Sequence, residues 1–191
     1  MSLKEQNEKT VFGFWVYLMS DCVLFAGLFA AYAVLWRQAA GGPQAFELAN
    51  MRFVFVETLI LLSSSFMMGL SVVAAHAKKK ALAVWLLLST LALGLAFLGM
   101  EAYEFSHLVA ERSGPSRSAF LSSYFALVGT HGLHVLAGSL WMISLIVYLA
   151  RRGFTNSGMR KLAMLSLFWH FLDIIWIFIF TFVYLFGALA L

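Results

Sequence analysis

The chain has 191 residues, 62% hydrophobic and only 12% charged, with a formal net charge of +4. Soluble domains average about 45–50% apolar and about 25% charged residues, so a water-soluble globule of this size would carry more apolar surface than it could bury. The composition excludes an ordinary soluble enzyme and points to lipid as the solvent; the small positive balance gives no reason to invoke nucleic acid.

Read in chain order, the polar start MSLKEQNEKT leads into a first apolar run, about 12–36, whose only charge is Asp21. This run is longer than the roughly 7–15-residue core of a signal peptide, which makes it a retained helix. It also holds Cys22, the single cysteine, so there is no internal disulfide and no thiolate pair for an iron–sulfur cluster or covalent haem. The link AAGGPQ (39–44) precedes a second span at about 54–76, and the basic turn HAKKK (76–80) precedes a third at about 81–103. RSGPSR (112–117) introduces a fourth at about 120–149, and RRGFTNSGMRK (151–161) a fifth at about 162–187. Each run meets the roughly 20 apolar residues that a spanning helix needs, and glycine, proline and polar residues mark the links. The expected fold is all-α: an integral membrane bundle of five transmembrane helices forming one domain over 1–191, with no internal repeat.

An odd number of spans puts the termini on opposite sides. One side holds Lys4, Lys9, Lys78, Lys79, Lys80, Arg151, Arg152, Arg160 and Lys161; the other holds Arg37, Arg52, Arg112 and Arg117. Nine basic residues against four predict a cytoplasmic N-terminus and a periplasmic C-terminus.

At about 1.5 Å per residue, Asp21 and Asp173 each lie about 18 Å past their basic boundaries, Lys9 and Lys161, near the bilayer centre. His131 and His134 lie midway between Arg117 and Arg151, and His170 is one turn from Asp173 on the same helix face. A lone carboxylate at such depth is costly, so these five side chains should face protein and hydrogen-bond one another as an intramembrane polar network. Glu57, Glu101 and Glu104 form a second acidic layer toward the opposite side, near enough to the span ends for water or headgroups to solvate them. The spacings Gly27–Ala31, Ser65–Gly69 and Gly129–Gly132 would let helices approach closely.

These residues leave three readings open. Imidazoles three residues apart beside carboxylates suit a metal or haem site built from His131, His134, His170 and Asp173, although carboxylate-bridged di-metal bundles take acids from more helices. Asp21 and Asp173 could instead line a proton or ion path, although no paired interrupted helices accompany them. The third reading is interhelical hydrogen bonding with no cofactor.

Four blocks add a resemblance. FGFWVYLMSDCVLFAGLFAAYAVL (12–35), GLAFLGMEAYEFSHL (94–108), SSYFALVGTHGLHVLAGSLWM (122–142) and LSLFWHFLDIIWIFIFTFVYL (165–185) resemble subunit III of the haem–copper respiratory oxidases. The likeness runs through all five spans, and MSDCVLF, AAGGPQ and ARRG (150–153) most resemble the cytochrome bo-type ubiquinol oxidases. It implies a non-catalytic, multi-pass subunit of a proton-translocating complex in a bacterial inner membrane, supporting assembly and sustained turnover as the complex oxidises ubiquinol and reduces dioxygen to water. It implies that this chain holds no haem and no copper, which belong to companion subunits, subunit I above all. The implied partners are subunit I as main contact, subunits II and IV, and phospholipid. The aa-type relatives carry two further helices ahead of the five seen here, which an extended subunit I supplies in the bo-type, so a lipid cleft would need its other wall from a partner. Those relatives also have glutamate, implicated in proton uptake, where this chain has the shorter Asp21.

Overall fold

The computed structural model of the chain describes residues 3–36, 51–111 and 113–186, with side chains from residue 9 onward. The expected link 39–44, Arg37, Arg112 and the last residue of the fifth expected span lie outside the described residues. Those described form five long helices and no strand: α1 Leu3–Leu35, α2 Met51–His76, α3 Lys80–Ala110, α4 Ala119–Arg152 and α5 Asn156–Ile179. All five are long and apolar enough to cross a membrane.

The helices outrun the apolar segments that announce them, because polar residues extend a helix until a breaker stops it. α3 continues past residue 103 through EFSHLVA, which contains neither glycine nor proline, and ends before Gly114 and Pro115. At about 1.5 Å per residue its 31 residues span roughly 46 Å, well beyond an apolar layer of about 30 Å.

The connections described in full, α2–α3 and α4–α5, are short because each carries its own stop signal. α2 closes in a Schellman turn: Lys79 N–H donates to the Ala74 carbonyl at 3.0 Å and Lys78 N–H to Ala75 at 3.1 Å. Lys78 takes the left-handed conformation there, φ 58°. Across the turn, Ser71 Oγ donates to the Ala83 carbonyl at 2.9 Å and fixes α2 against α3. α4 begins at Ser118, whose Oγ accepts from Leu121 N–H at 3.1 Å, and stops at Gly153, φ 70°, a value that disfavours any side chain. Two residues on, Thr155 Oγ1 accepts from Gly158 N–H at 3.2 Å and starts α5. α5 then loosens into one π-helical stretch, Phe180–Leu185.

Helices α2, α3, α4 and α5 form a closed ring of neighbours, each packed on the next and α5 back on α2. α1 lies outside the ring, mainly against α4 and to a smaller extent α5. The ring is filled by Phe97, Phe120, Tyr124, Trp169 and Trp176, all at most 2% exposed. Both indoles bond across to α2: Trp169 Nε1 donates to Ser64 Oγ at 3.0 Å and Trp176 Nε1 to Thr58 Oγ1 at 3.1 Å. Trp169 fits only because its neighbours lack side chains. A Cβ on Gly94 of α3 would come within 2.8 Å of the indole, and one on Gly138 of α4 within 3.1 Å.

Candidate functional site

The intramembrane ionisable residues fall into separate groups, set by which helix faces meet. The first joins α1 to α4. His134 Nδ1 lies 2.7 Å from the Thr130 carbonyl one turn back, and since a carbonyl only accepts, Nδ1 carries the proton. His134 Nε2 is then left 3.6 Å from Asp21 Oδ2. At that distance the two make no hydrogen bond, and Asp21 Oδ2 is buried with no hydrogen-bond partner. Phe25 covers the pair, its ring centre 5.2 Å from that of His134.

The second group joins α5 to α2. His170 Nδ1 lies 2.6 Å from Ser65 Oγ, and either partner can donate across this contact according to the tautomer of the imidazole. His170 Nε2 faces Gly69, where an added Cβ would lie 4.0 Å away. Asp173 Oδ1 is buried with no hydrogen-bond partner.

His131 belongs to neither group. It is completely buried, and both ring nitrogens lack a partner. It stacks on Trp176 with centres 5.2 Å apart and meets Phe97 edge-on at 5.9 Å. The Trp176 N–H that lies nearby is already committed to Thr58.

The third group is the acidic layer. Glu57 is 0%, Glu101 4% and Glu104 8% exposed, so the ring of helices encloses all three and headgroups do not solvate them. Glu104 Oε1 accepts from the Tyr124 hydroxyl at 3.4 Å, and the Tyr184 hydroxyl is 2.9 Å from that of Tyr124. The π-helical stretch of α5 carries Tyr184 into this contact. Both carboxylate oxygens of Glu57 and of Glu101 are unpartnered. Glu101 lies where Gly132 leaves space: a Cβ there would be 2.5 Å from either oxygen. Sequence reading found the three glutamates and marked Gly132 only as a position of close helix approach; it missed Tyr124 and Tyr184. The YF pair after SS and the tyrosine in FVYLF look like ordinary interface aromatics, and only their helix faces set them apart.

His131, His134, His170 and Asp173 therefore do not surround a common point. Among the described residues no group of three or more His, Cys, Asp or Glu side chains is arranged to hold a metal ion. The arrangement brings Asp21 of α1 close to His134 of α4, and it bonds α2 to α5 through Ser65 with His170 and through the two indoles.

Residues 5–188 match the family model described as cytochrome c oxidase subunit III. Among proteins similar to the chain, the cytochrome bo(3) ubiquinol oxidase subunit 3 of Pseudomonas aeruginosa is 57% identical over 97% of this chain and 88% of the relative. The quinol oxidase subunit 3 of Bacillus subtilis is 42% identical over 96% and 90%. The cytochrome c oxidase subunit 3 of a Bacillus species is 43% identical over 97% and 89%.

Proposed function

Because the chain belongs to the cytochrome c oxidase subunit III family, we propose that it serves as the accessory subunit III of a proton-translocating, bo-type ubiquinol oxidase in a bacterial inner membrane. It is a subunit of an oxidoreductase complex and not the catalytic one. The observation that carries the quinol reading is the 57% identity, nearly end to end, to a ubiquinol oxidase subunit.

In this reading the complex oxidises ubiquinol and reduces dioxygen to water on companion chains, with haems and copper in subunit I. Subunit I is the main contact, with subunits II and IV and phospholipid as further neighbours. The N-terminus faces the cytoplasm, which the lysines and arginines of the α2–α3 and α4–α5 links support. This chain's own contribution is mechanical. Ser65 with His170, and the two indoles with Ser64 and Thr58, hold α5 to α2, each contact worth about 0.6–2 kcal/mol in a membrane, and Asp21 faces His134 where α1 meets the ring. Modest bonds suffice there, because lipid offers polar groups no alternative partner.

Purification of the chain from its native membrane in mild detergent, with haem quantitation, tests the assignment. A haem-bearing subunit in stoichiometric amount is expected; a chain that purifies without one refutes it.

A further inference from the structure

The ring of α2, α3, α4 and α5 closes over polar atoms that its own side chains leave unsatisfied. Glu57 and Glu101 are buried with no hydrogen-bond partner on either carboxyl oxygen, and Glu104 Oε2 has none. The bond that Glu104 Oε1 accepts from Tyr124 is long, 3.4 Å where O–H···O bonds run about 2.5–3.0 Å. The glutamates share a level. Phe53 and Tyr103, ring centres 6.1 Å apart, set the register of α2 on α3 and bring Glu57 opposite the turn from Phe97 to Glu101, and Glu104 follows within one turn. An independent sign comes from α4. His131 is completely buried with both ring nitrogens unpartnered. It meets Phe97 edge-on at 5.9 Å, one turn before Glu101, and its chain neighbour Gly132 lies against the Glu101 carboxyl. The imidazole therefore borders the same interior.

Protonation alone does not satisfy this interior. Every described lysine and arginine is exposed, so no buried cation of theirs balances the glutamates. Three enclosed carboxylates without one would be costly, and protons relieve that charge. A neutral carboxyl nevertheless keeps an O–H to donate and an oxygen to accept, and the surrounding lipid offers partners for neither. A small molecule that both donates and accepts meets both needs. Water does so, making about three bonds to buried groups that otherwise lack partners. The layer is also closed toward the nearer end of the bundle: Leu108, one turn beyond Glu104, and Phe120 and Leu121, about one turn before Tyr124, are all buried.

We propose that the interior of the ring is a binding site for ordered water, which bridges Glu57, Glu101 and Glu104, links them to the Tyr124–Tyr184 pair and to His131, and forms the path over which the carboxyls share their protons. The ligand is neutral and water-sized: among the described residues no three His, Cys, Asp or Glu side chains are arranged to hold a metal ion. The inference concerns the inside of one chain and stands apart from the oxidase assignment.

A high-resolution electron-microscopy map of the full chain, purified in mild detergent with its companion subunits, tests the proposal. Discrete peaks are expected about 2.6–3.2 Å from the Glu57 and Glu101 carboxyls. An interior without such peaks overturns it, and so does a peak ringed by oxygens at the shorter distances of about 2.0–2.4 Å that mark a metal ion. Glu101→Gln keeps a donor and an acceptor and should keep the peaks. Glu101→Leu, of similar bulk, should lose those beside it and release this subunit at a lower dodecyl sulfate concentration than Glu101→Gln. Equal release of the Leu and Gln variants also overturns the proposal, because a dry interior would accept an apolar side chain at least as well. If the Leu variant does not assemble, the wild-type and Gln maps decide.

Discussion

Gly94 and Gly99 lie five residues apart on α3 and should respond oppositely to the same substitution. An alanine Cβ at Gly94 would stand 2.8 Å from two ring carbons of Trp169, whereas one at Gly99 meets nothing within 4 Å. The indole cannot slide away freely. Gly138 on α4 packs against its other edge so closely that a Cβ there would stand 3.1 Å from the ring, and the indole N–H is held by Ser64 at 3.0 Å. Relief of the clash therefore costs overpacking strain of about 1–3 kcal/mol, plus about 0.6 kcal/mol or more if the bond to Ser64 breaks. The helix-propensity gain of at most about 1 kcal/mol is common to both variants and cancels in their difference. Gly94→Ala should then be less stable than Gly99→Ala by about 2–4 kcal/mol. Titration of the purified complex with dodecyl sulfate in mixed micelles, followed by release of this subunit, measures that gap. Equal midpoints for the two variants would refute the claim that Trp169 is clamped between two glycines.

Trp176→Phe keeps the ring against Phe97, 4.6 Å away, but removes the donor to Thr58; a double-mutant cycle with Thr58→Val should give a coupling of about 0.6–2 kcal/mol. Gly153→Ala places a side chain at φ 70° and should lower the sodium dodecyl sulfate midpoint by the equivalent of about 1–2 kcal/mol. Asp173→Leu leaves Ser65 and His170 without their acid, so quantitative immunoblotting should find less assembled subunit while the turnover per haem of surviving complexes stays near wild type. Asp21→Leu should loosen α1, read as faster protease cleavage in the α1–α2 link, and Asp21→Asn, which keeps a polar group opposite His134, should do so less.

Much of the fold could be read directly from the sequence because lipid imposes one rule on every span. Five apolar runs between basic or proline-containing links fix the helix number, and Asp21 and Asp173 each lie twelve residues past a lysine, inside α1 and α5. Helix ends were less legible. Thr155 starts α5 at Asn156, before the apolar run near 162, because a cap acts through geometry and not hydrophobicity. The faces were the least legible. Helices that are apolar nearly all round give no stripe to orient them, so nothing in the sequence pairs His170 with Ser65 or isolates His131 among rings. Ser64 and Thr58 were hidden for another reason. Hydroxyls in helices usually bond their own preceding turn, as both do here to Leu61 and Val54, and their second role as acceptors for the two indoles depends on α5 lying alongside. The spacing rule for small residues was a partial guide. It marked Gly132, where a carboxylate replaces the missing side chain, but also Gly27, where an added Cβ would meet nothing within 4 Å, and it passed over Gly94 and Gly138, where a ring does so.

In the proposed reading this chain joins helices and subunits and leaves electron transfer to its companions. Selective removal of the chain from the purified oxidase, with haem and copper counted in both fractions, separates the two roles. The depleted complex should keep its full complement of both, and the released chain should carry neither; haem or metal leaving with the chain in stoichiometric amount would rule that reading out.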